Sequence, residues 1–335
     1  MIEVKACARL HLGLLDHNGE QGRIYGSIGL AINEPHLILR AKISDGLQVE
    51  GLEQERVSAY AQRFINHYGV PGGARLHLVK SIPAHIGLGS GTQLALAVGT
   101  ALSRLAGLQL PIQEIALVLG RGLHSGVGIN SFQHGGFVLD GGQRILPDEL
   151  NLSSGNGHRG KIDRNSIPPL LFQHPIPKDW YFVAVIPKTD PGFSGEKEVR
   201  ALMQLPAAPS SLAERISRML LMKMLPALVE KDILNFGNAL TGIQNMVGDC
   251  FSSVQGGRFA SPLLEKLVEF LLNKGSVGAG QSSWGPTVYG LVKGRAQAKA
   301  LAAEAQAYLD CLGGGEAFYV QPQNRGARVR QVKGI

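Results

Sequence analysis

The stretch that decides the fold reads Ser81-Ile-Pro-Ala-His-Ile-Gly-Leu-Gly-Ser-Gly-Thr-Gln93, and it continues as an apolar run to Leu105. Before it, residues 74–79 alternate apolar and polar side chains, which is typical of a half-buried strand. After it, apolar side chains recur from Leu94 onward at the three- and four-residue spacing of a helix. The stretch therefore predicts a strand, a glycine-rich turn and a helix in direct succession.

The composition of the turn favours an anion site. Its glycines let the backbone take positive φ values and approach a ligand closely, and the hydroxyls of Ser90 and Thr92 lie beside the free N–H groups of the first helical turn. Such a helix N-terminus binds phosphate readily. A tight connection whose glycines only make room for packing is the alternative. The residues predicted to bind phosphate are Gly87, Leu88, Gly89, Ser90, Gly91, Thr92 and Gln93.

Two common phosphate motifs do not match this turn. No Gly-Lys-Ser/Thr follows it, so it is not a Walker loop. The spacing Gly87-Leu-Gly-Ser-Gly also differs from the G-x-G-x-x-G of a dinucleotide-binding turn, and no ribose-binding acid follows at the expected distance.

Composition narrows the class of protein. A chain of 335 residues with 44% hydrophobic and 18% charged residues is typical of a soluble protein of two domains. No apolar run reaches the ~18 residues that span a bilayer, and the N-terminus does not resemble a signal peptide, so we expect a cytoplasmic protein without a membrane partner. The net charge of +7 is spread along the chain, which favours a small polyanionic substrate over nucleic acid. The three cysteines lie far apart and predict neither disulfides nor a zinc site.

A polar cluster is expected at the mouth of the first hairpin. Residues 2–14 alternate as a strand and 28–32 form a second one, so Arg9, His11, Asp16 and Arg23 should lie close together. Taken singly, each is most often a solvated residue at a strand end. Taken together near a phosphate loop, they predict catalytic residues of a substrate site.

A second glycine-rich run follows a helix predicted for residues 112–123. Eight glycines in residues 120–142 indicate backbone folded closely round a ligand, and a glycine-rich hairpin rim is the alternative. Arg121, His124, Ser125, Asn130, His134 and Asp140 are interleaved with these glycines. Of them, His124, Asn130 and His134, with His85 of the first loop, are the candidates for lining the substrate site.

The rest of the chain predicts a second domain. Residues 151–177 carry no period and are expected to connect a first domain, 1–170, to a second, 177–335. Strands at 180–187, 288–292 and 317–320 and helices at 210–230, 232–248, 261–273 and 296–310 predict an α+β sandwich. A third glycine-rich run, 275–287, contains Gln281, Ser282 and Ser283.

The order of these motifs resembles that of the GHMP kinase superfamily. The segment Pro83-Ala-His-Ile-Gly-Leu-Gly-Ser-Gly91 is similar to the superfamily's Pro-x-x-x-Gly-Leu-Gly-Ser-Ser loop. The resemblance implies an α+β, GHMP-type fold with an N-terminal domain like the second domain of ribosomal protein S5. It also implies a ferredoxin-like C-terminal α/β sandwich, with the ligand between the two domains.

Two departures argue against a kinase. The second serine of the kinase loop is Gly91 here, and Ser125-Gly-Val is followed by Gly128 instead of the catalytic aspartate. Three further segments resemble most the β-ribofuranosylaminobenzene 5′-phosphate synthase family of this superfamily: Arg9-Leu-His-Leu-Gly-Leu-Leu-Asp16, Gly26-Ser-Ile-Gly-Leu-Ala-Ile32 and Gly280-Gln-Ser-Ser-Trp-Gly-Pro-Thr287. That family joins phosphoribosyl pyrophosphate to 4-aminobenzoate or 4-hydroxybenzoate, with loss of CO2 and pyrophosphate, to make methanopterin-type cofactors.

The resemblance assigns roles to the candidate residues. Ser125, Gln281, Ser282 and Ser283 join the phosphate loop in binding the ribosyl donor, and Arg9, Arg23 or His11 would hold the acceptor carboxylate. Asp16 or Asp140 would bind Mg²⁺ accompanying the pyrophosphate, no organic cofactor is expected, and the resemblance implies a homodimer. The amino or hydroxyl substituent of the acceptor stays open. Two alternatives remain: an ATP-dependent small-molecule kinase using Asp16 or Asp140 as its base, and a ligand-sensing protein without catalysis.

Overall fold

The computed structural model describes residues 1–70, 73–146, 161–163, 165–189, 192, 200–202, 204–205 and 208–332. The strands are β1 Ile2–Asp16, β2 Arg23–Ser44, β3 Gln48–Gly51, β4 Gly73–Lys80, β5 Phe137–Asp140, β6 Gln143–Leu146, β7 Lys161–Ile162, β8 Leu170–His174, β9 Trp180–Pro187, β10 Gly278–Gln281, β11 Val288–Lys293, β12 Gly315–Val320 and β13 Arg328–Gln331. The helices are α1 Gln54–Tyr68, α2 Ser90–Leu105, α3 Ile112–Val118, α4 Val127–Gln133, α5 Ser210–Met219, α6 Leu225–Glu230, α7 Ile233–Gln255, α8 Pro262–Asn273 and α9 Arg295–Cys311, and a π-helical turn, Leu220–Met224, joins α5 to α6.

The first sheet is built on the long antiparallel pair β1–β2. Its strand order is β13-β1-β2-β4-β3, and β5 also pairs with β2. Alternate side chains of β1, such as Val4, Ala6 and Leu10, are fully buried, as the apolar alternation predicts. The strand predicted at 28–32 is part of one longer strand, β2, which continues to Ser44.

Helix α2 begins at the glycine-rich turn, as predicted. Gly89 precedes it with a left-handed φ of 78°, which glycine adopts without steric cost. The helix starts at Ser90, four residues before the first apolar residue of the periodic pattern, and it packs against β1, β2, α1 and α3. This packing fixes its N-terminus beside the strand that carries Arg9 and His11.

The second sheet has the ferredoxin-like arrangement that the resemblance implied. Its antiparallel strands lie in the order β10-β11-β9-β12, and the chain runs strand, helices, two strands, helix, strand. Helix α8 begins at Pro262 after Ser261, whose hydroxyl accepts a hydrogen bond from the Leu264 N–H at 3.4 Å. Trp180 of β9 packs on Phe236 of α7 with ring centroids 5.0 Å apart, inside the larger buried core.

Three predicted boundaries are wrong. The helix predicted for 112–123 ends at Val118, because Gly120 takes a left-handed φ of 68°. The run 120–142 is not one continuous loop, since it contains α4 and β5. Helix α7 continues beyond the predicted residue 248 to Gln255, where Gly256 ends it with a φ of 83°.

The predicted connection between the domains also differs. Residues 151–160 and 164 lie outside the described residues, whereas 170–174 form β8, which pairs with β5 of the first sheet. Strand β13, placed by the sequence in the second domain, pairs antiparallel with β1. Buried Glu3 fastens this edge, because it accepts hydrogen bonds from Arg40 at 2.9 Å and from Arg330 at 2.6 Å. None of the described helices is long and apolar enough to cross a membrane.

Candidate active site

Three of the segments singled out in the sequence meet at Gly87. The Gly87 carbonyl accepts hydrogen bonds from Arg9 Nη1 at 2.5 Å and from Ser282 Oγ at 2.7 Å. Ser282 Oγ in turn accepts the backbone N–H of His11 at 3.0 Å. Hydrogen bonds therefore connect the first strand, the phosphate loop and the third glycine-rich run, as the predicted common site requires.

A cavity, here called the phosphate cavity, opens at the N-terminus of α2. Its wall combines the glycine-rich turn with three arginines that come from β1, α1 and the segment after α3. Helix N-termini carry partial positive charge, so helix and arginines together favour a multiply charged anion. The cavity is lined by Arg9, Arg56, Tyr60, His85, Gly87, Gly89, Ser90, Gly91, Thr92, Arg121, Ser283, Trp284 and Gly285.

A second cavity, here called the aromatic cavity, shares Ser283 and Trp284 with the first. Phe251 and Trp284 pack edge to face with centroids 5.1 Å apart, and Tyr25 and His124 do the same at 5.6 Å. Such walls suit a flat apolar ring. The cavity is lined by His11, Gly13, Leu14, Tyr25, His124, Ser125, Leu202, Gln244, Val247, Gly248, Phe251, Gln255, Arg258, Phe259, Gln281, Ser283 and Trp284.

His11 lies in the aromatic cavity as an uncharged imidazole. Burial, helped by the charge of Arg9, lowers the pKa of His11 from 6.5 to about 3. The low pKa argues against the expected role of His11 as a cation that holds the carboxylate. The cationic side chain in this lining is Arg258, whose Nε and Nη2 lie 2.7 and 3.3 Å from the oxygens of Asp249; these hydrogen bonds raise the pKa of Arg258.

Asp16 and Arg23, predicted to be catalytic, have structural contacts instead. Asp16 Oδ1 accepts the N–H groups of Asn18 at 2.7 Å and Gly19 at 3.2 Å, so it stabilises the hairpin turn. Arg23 donates from Nε to the Gly141 carbonyl at 2.6 Å and from Nη2 to the Gly142 carbonyl at 2.7 Å. Neither residue is among the described residues that line the two cavities.

Asp140, the other predicted metal ligand, is 0% exposed. Its Oδ1 accepts the N–H groups of Ser27 and Gly142, and its Oδ2 accepts that of Gly126 at 2.8 Å. The carboxylate thus stabilises three backbone segments and does not face the phosphate cavity. In the described part of the chain, no group of three or more His, Cys, Asp or Glu side chains could hold a metal ion. The described residues therefore contain no such cluster. Mg²⁺ that enters with the pyrophosphate needs only one or two carboxylates besides the substrate's own oxygens, so the expected Mg²⁺ stays a prediction.

The burial of Asp140 predicts a pH effect on stability. Desolvation outweighs the three N–H bonds and raises the pKa from 3.8 to about 7. Because the folded state binds this proton more tightly, the contribution is fully present below about pH 4 and is lost as the pH rises toward 7. Urea unfolding between pH 4 and 8 should therefore show wild type losing stability relative to Asp140→Asn as the pH rises. A pH-independent difference between the two proteins would contradict this.

Several other predicted ligands point away from the cavities. The Leu88 side chain is in the core, and Gln93 is buried with its Nε2 donating to the Gly128 carbonyl at 2.8 Å. Ser282 is fully buried and acts only by joining the loops. Buried Asn130 and half-buried His134, both of the α4 segment, are not among the described lining residues.

The remaining residues that the sequence predicted to belong to the site do line the two cavities. Gln281 lines the aromatic cavity, although its side-chain oxygen accepts the Ala260 N–H at 2.8 Å and its amide donates to the Ser283 carbonyl. The phosphate cavity receives His85, Gly87, Gly89, Ser90, Gly91 and Thr92, the aromatic cavity receives His11, His124 and Ser125, and Ser283 lines both.

The sequence did not identify Arg56, Tyr60 and Arg258 as site residues. Arg56 and Tyr60 are four residues apart, so they share one face of α1, and that spacing was the available signal. Arg121 lies over the Tyr60 ring at 5.1 Å and donates to its hydroxyl. Only the packing of α1 against α2 shows that this face borders the phosphate loop.

Known proteins match both halves of the chain. Residues 55–136 match the GHMP kinases N-terminal domain and residues 224–311 the GHMP kinases C-terminal domain. The chain is 33% identical over 332 residues to the β-ribofuranosylphenol 5′-phosphate synthase of Methanothermobacter thermautotrophicus, covering 96% of each chain. It is 36% identical to the synthase of the same name from Archaeoglobus fulgidus, over 88% of this chain and 89% of that one. Homoserine kinase from Cytophaga hutchinsonii has the same fold, with a TM-score of 0.66 and 17% identity over 98% of this chain and 97% of the kinase.

Proposed function

Because the chain belongs to the β-ribofuranosylphenol 5′-phosphate synthase family, we propose that it transfers the ribosyl phosphate of phosphoribosyl pyrophosphate to an aromatic acid, with release of CO2 and pyrophosphate. The acceptor is 4-hydroxybenzoate or 4-aminobenzoate. The phenol in the relatives' name makes 4-hydroxybenzoate the first acceptor to test. The product would be an early intermediate of methanopterin biosynthesis.

The observation that carries this proposal is the pair of adjoining cavities. The phosphate cavity combines three arginines with a helix N-terminus, which suits the pyrophosphate of the donor. The aromatic cavity has the apolar walls that suit a benzoate ring. Since Ser283 and Trp284 belong to both linings, a ring in one cavity lies next to a ribose that extends from the other.

The reaction needs three bond changes, and the residues suit each. The bond between ribose C1 and the pyrophosphate oxygen breaks, and the electron pair leaves on oxygen, where Ser90, Thr92 and the helix N-terminus stabilise the charge. The ring carbon that bears the carboxylate then bonds to C1. Finally the bond to the carboxylate breaks, its electron pair returns to the ring, and CO2 leaves. The last step converts a charged carboxylate into neutral CO2. An apolar cavity with a neutral His11 favours it, because such a cavity stabilises a charged group less than a neutral one.

Several earlier expectations stay predictions. Nothing in the structure tests the Mg²⁺ expected with the pyrophosphate, so no step is assigned to the ion. The homodimer and the cytoplasmic location are likewise proposals. A measurement of the molar mass in solution tests the homodimer.

The kinase alternative has less support. The position of the kinase aspartate is Gly128, and a Cβ placed there would stand 3.0–3.3 Å from three atoms of the Thr92 side chain. Asp16 and Asp140, the substitutes considered from the sequence, are engaged with backbone N–H groups. Resemblance to homoserine kinase at 17% identity indicates the fold alone.

The direct test is decarboxylation. Purified protein is incubated with phosphoribosyl pyrophosphate, Mg²⁺ and carboxyl-labelled 4-hydroxybenzoate or 4-aminobenzoate, and labelled CO2 is collected. We expect release that depends on the ribosyl donor. If neither acid releases CO2 while ATP supports phosphate transfer to an alcohol, the kinase alternative replaces this proposal.

Two substitutions should separate the cavities. Ser90→Ala removes a hydrogen bond to a charged group, worth roughly 1.5–3 kcal/mol, and should weaken donor binding about tenfold to a hundredfold while sparing the acid. His11→Ala should impair acid binding or CO2 loss and leave donor affinity nearly unchanged. Calorimetric titration of each substrate against each variant measures both effects.

Matched controls keep this test specific. Ser103→Ala removes a hydroxyl at the other end of α2, and His36→Ala removes a buried imidazole of β2; neither is among the described lining residues. Both should leave the two affinities unchanged. If His11→Ala weakened only the donor, the acceptor would have been assigned to the wrong cavity.

A further inference from the structure

Three arginines from separate elements converge on the first turn of α2. The nearest guanidinium nitrogens of Arg56 and Arg121 each lie 3.4 Å from the point that a Cβ on Gly91 would occupy. These two nitrogens are therefore no farther apart than twice that distance. Arg9 lies beside Gly89, two residues earlier in the turn. Its Nε is 3.1 Å from the point that a Cβ on Gly89 would occupy. The glycines of the turn thus leave the space that the guanidinium groups use.

This convergence gives the first turn of α2 a strongly positive potential. Three positive charges lie close together at the positive end of a helix, partly shielded from water, where like charges repel more strongly than in solution. Of the three, Arg56 forms an ion pair with Glu53. A ligand carrying several negative charges would remove this repulsion.

The position of the arginines is fixed by neighbouring residues. Arg9 donates to the Gly87 carbonyl, Arg56 pairs with Glu53, and Arg121 rests on the Tyr60 ring. Guanidinium groups that are already held in place lose little conformational freedom when a ligand binds. Each planar guanidinium can donate two parallel hydrogen bonds to two oxygens of a phosphate. The arrangement therefore suits two linked phosphate groups better than one.

We propose that Arg9, Arg56 and Arg121 form a clamp that holds the pyrophosphate group of the ribosyl donor and stabilises it as it leaves. This assignment rests on the proposed function and adds Arg56 and Arg121 to its substrate-binding residues. As the C1–O bond breaks, the electron pair moves onto the departing oxygen, and the clamp supplies positive charge where the negative charge grows.

Gly91 explains why the clamp departs from the kinase loop. The resembling kinases carry a second serine there, and a Cβ at Gly91 would be in van der Waals contact with Arg56 and Arg121, 3.4 Å from a nitrogen of each. The glycine and the two arginines therefore act as one feature. Together they distinguish a site for a departing pyrophosphate from one for a transferred phosphate.

The test is titration of inorganic pyrophosphate by calorimetry at fixed Mg²⁺ concentration. The proteins are wild type, Arg56→Gln, Arg121→Gln, the double variant and, as matched control, Arg63→Gln. Arg63 is exposed on the same helix and is not among the described residues lining the cavity. Each clamp variant should bind pyrophosphate roughly tenfold to a hundredfold more weakly, because one charged hydrogen-bonding group is lost. Arg63→Gln should bind like wild type.

Two further measurements exclude a mere loss of structure. Binding of 4-hydroxybenzoate should be unchanged in all variants, and Arg56→Lys and Arg121→Lys should recover part of the affinity because they keep the charge without the fork. In turnover, kcat should fall in the clamp variants, since stabilisation grows as the leaving group departs. A structural role alone would not leave acid binding intact while lowering kcat.

The outcomes separate the clamp from the proposed function. Unchanged pyrophosphate affinity in the double variant, or an equal loss in Arg63→Gln, would overturn the clamp and leave the CO2 assay of wild type untouched. If wild type released no CO2 while the double variant lost pyrophosphate binding, the function would be wrong and the clamp would stand.

Discussion

Gly87→Ala is expected to lower turnover roughly a hundredfold and to destabilise the protein by about 3 kcal/mol or more. Gly87 has a φ of 83°, and an added Cβ would stand 2.3 Å from the carbonyl oxygen of Ser282. The turn that carries Ser283 and Trp284 would have to retreat by about 1 Å, a displacement that in active sites can cost about a hundredfold in rate. Both cavities share that turn, so both substrates should bind less well.

Gly107→Ala is the matched control for this prediction. Gly107 has a similar φ of 71°, but no atom lies within 4 Å of its added Cβ. It should therefore cost only the left-handed conformation, about 1–2 kcal/mol, with turnover unchanged. Chemical denaturation and the CO2 assay measure the two effects. Equal behaviour of the two alanine variants would contradict the close approach at Gly87.

Gly128→Asp, which restores the kinase pattern, is expected to destabilise the protein by about 3–5 kcal/mol and to confer no phosphate transfer from ATP. Gly128 is buried in α4, and its added Cβ would meet the Thr92 side chain at 3.0 Å. The carboxylate would enter this packed region as a buried charge.

Gly128→Ala separates the effect of the charge from that of the extra atom. It adds the same Cβ, so the neighbouring Thr92 must still shift slightly, but alanine also favours the helix by about 1 kcal/mol. It should therefore fold nearly as stably as wild type. Thermal unfolding and an ATP assay against a panel of alcohols provide the measurements. A stable aspartate variant that phosphorylates an alcohol would contradict the proposed reason for the loss of kinase chemistry.

The sequence predicted the parts of the fold that depend on local chemistry. The turn before α2 requires glycine at Gly89 for its left-handed φ, and Ser261-Pro262 caps α8, so both helix starts were readable. The end of α3 was missed because the apolar pattern continues past Val118 while Gly120 turns the backbone. The spacing of apolar residues does not reveal a single residue of left-handed backbone conformation within an otherwise helical pattern.

The candidate site was predictable only in part, because some of its residues are brought together by tertiary packing. Ser90 and Thr92 belong to a contiguous motif, whereas Arg56 reaches the same cavity through the packing of one helix on another. Asp16 and Asp140 were selected as acidic residues near glycines, yet backbone N–H groups in the folded chain occupy their oxygens. Residue type and spacing indicate which groups are available, while tertiary packing decides which of them face a ligand.

The pairing of β13 with β1 has a consequence for synthesis of the chain. During translation β1 leaves the ribosome long before β13, so the edge of β1 at residues 2–5 has no partner until β13 has emerged. Unpaired edges are where strands of separate molecules join and aggregate. The first residues of the strand that also carries Arg9 and His11 are therefore exposed to misassembly in the nascent protein. Chaperones that cover nascent strands should accordingly raise the yield of folded protein more than they change its final stability.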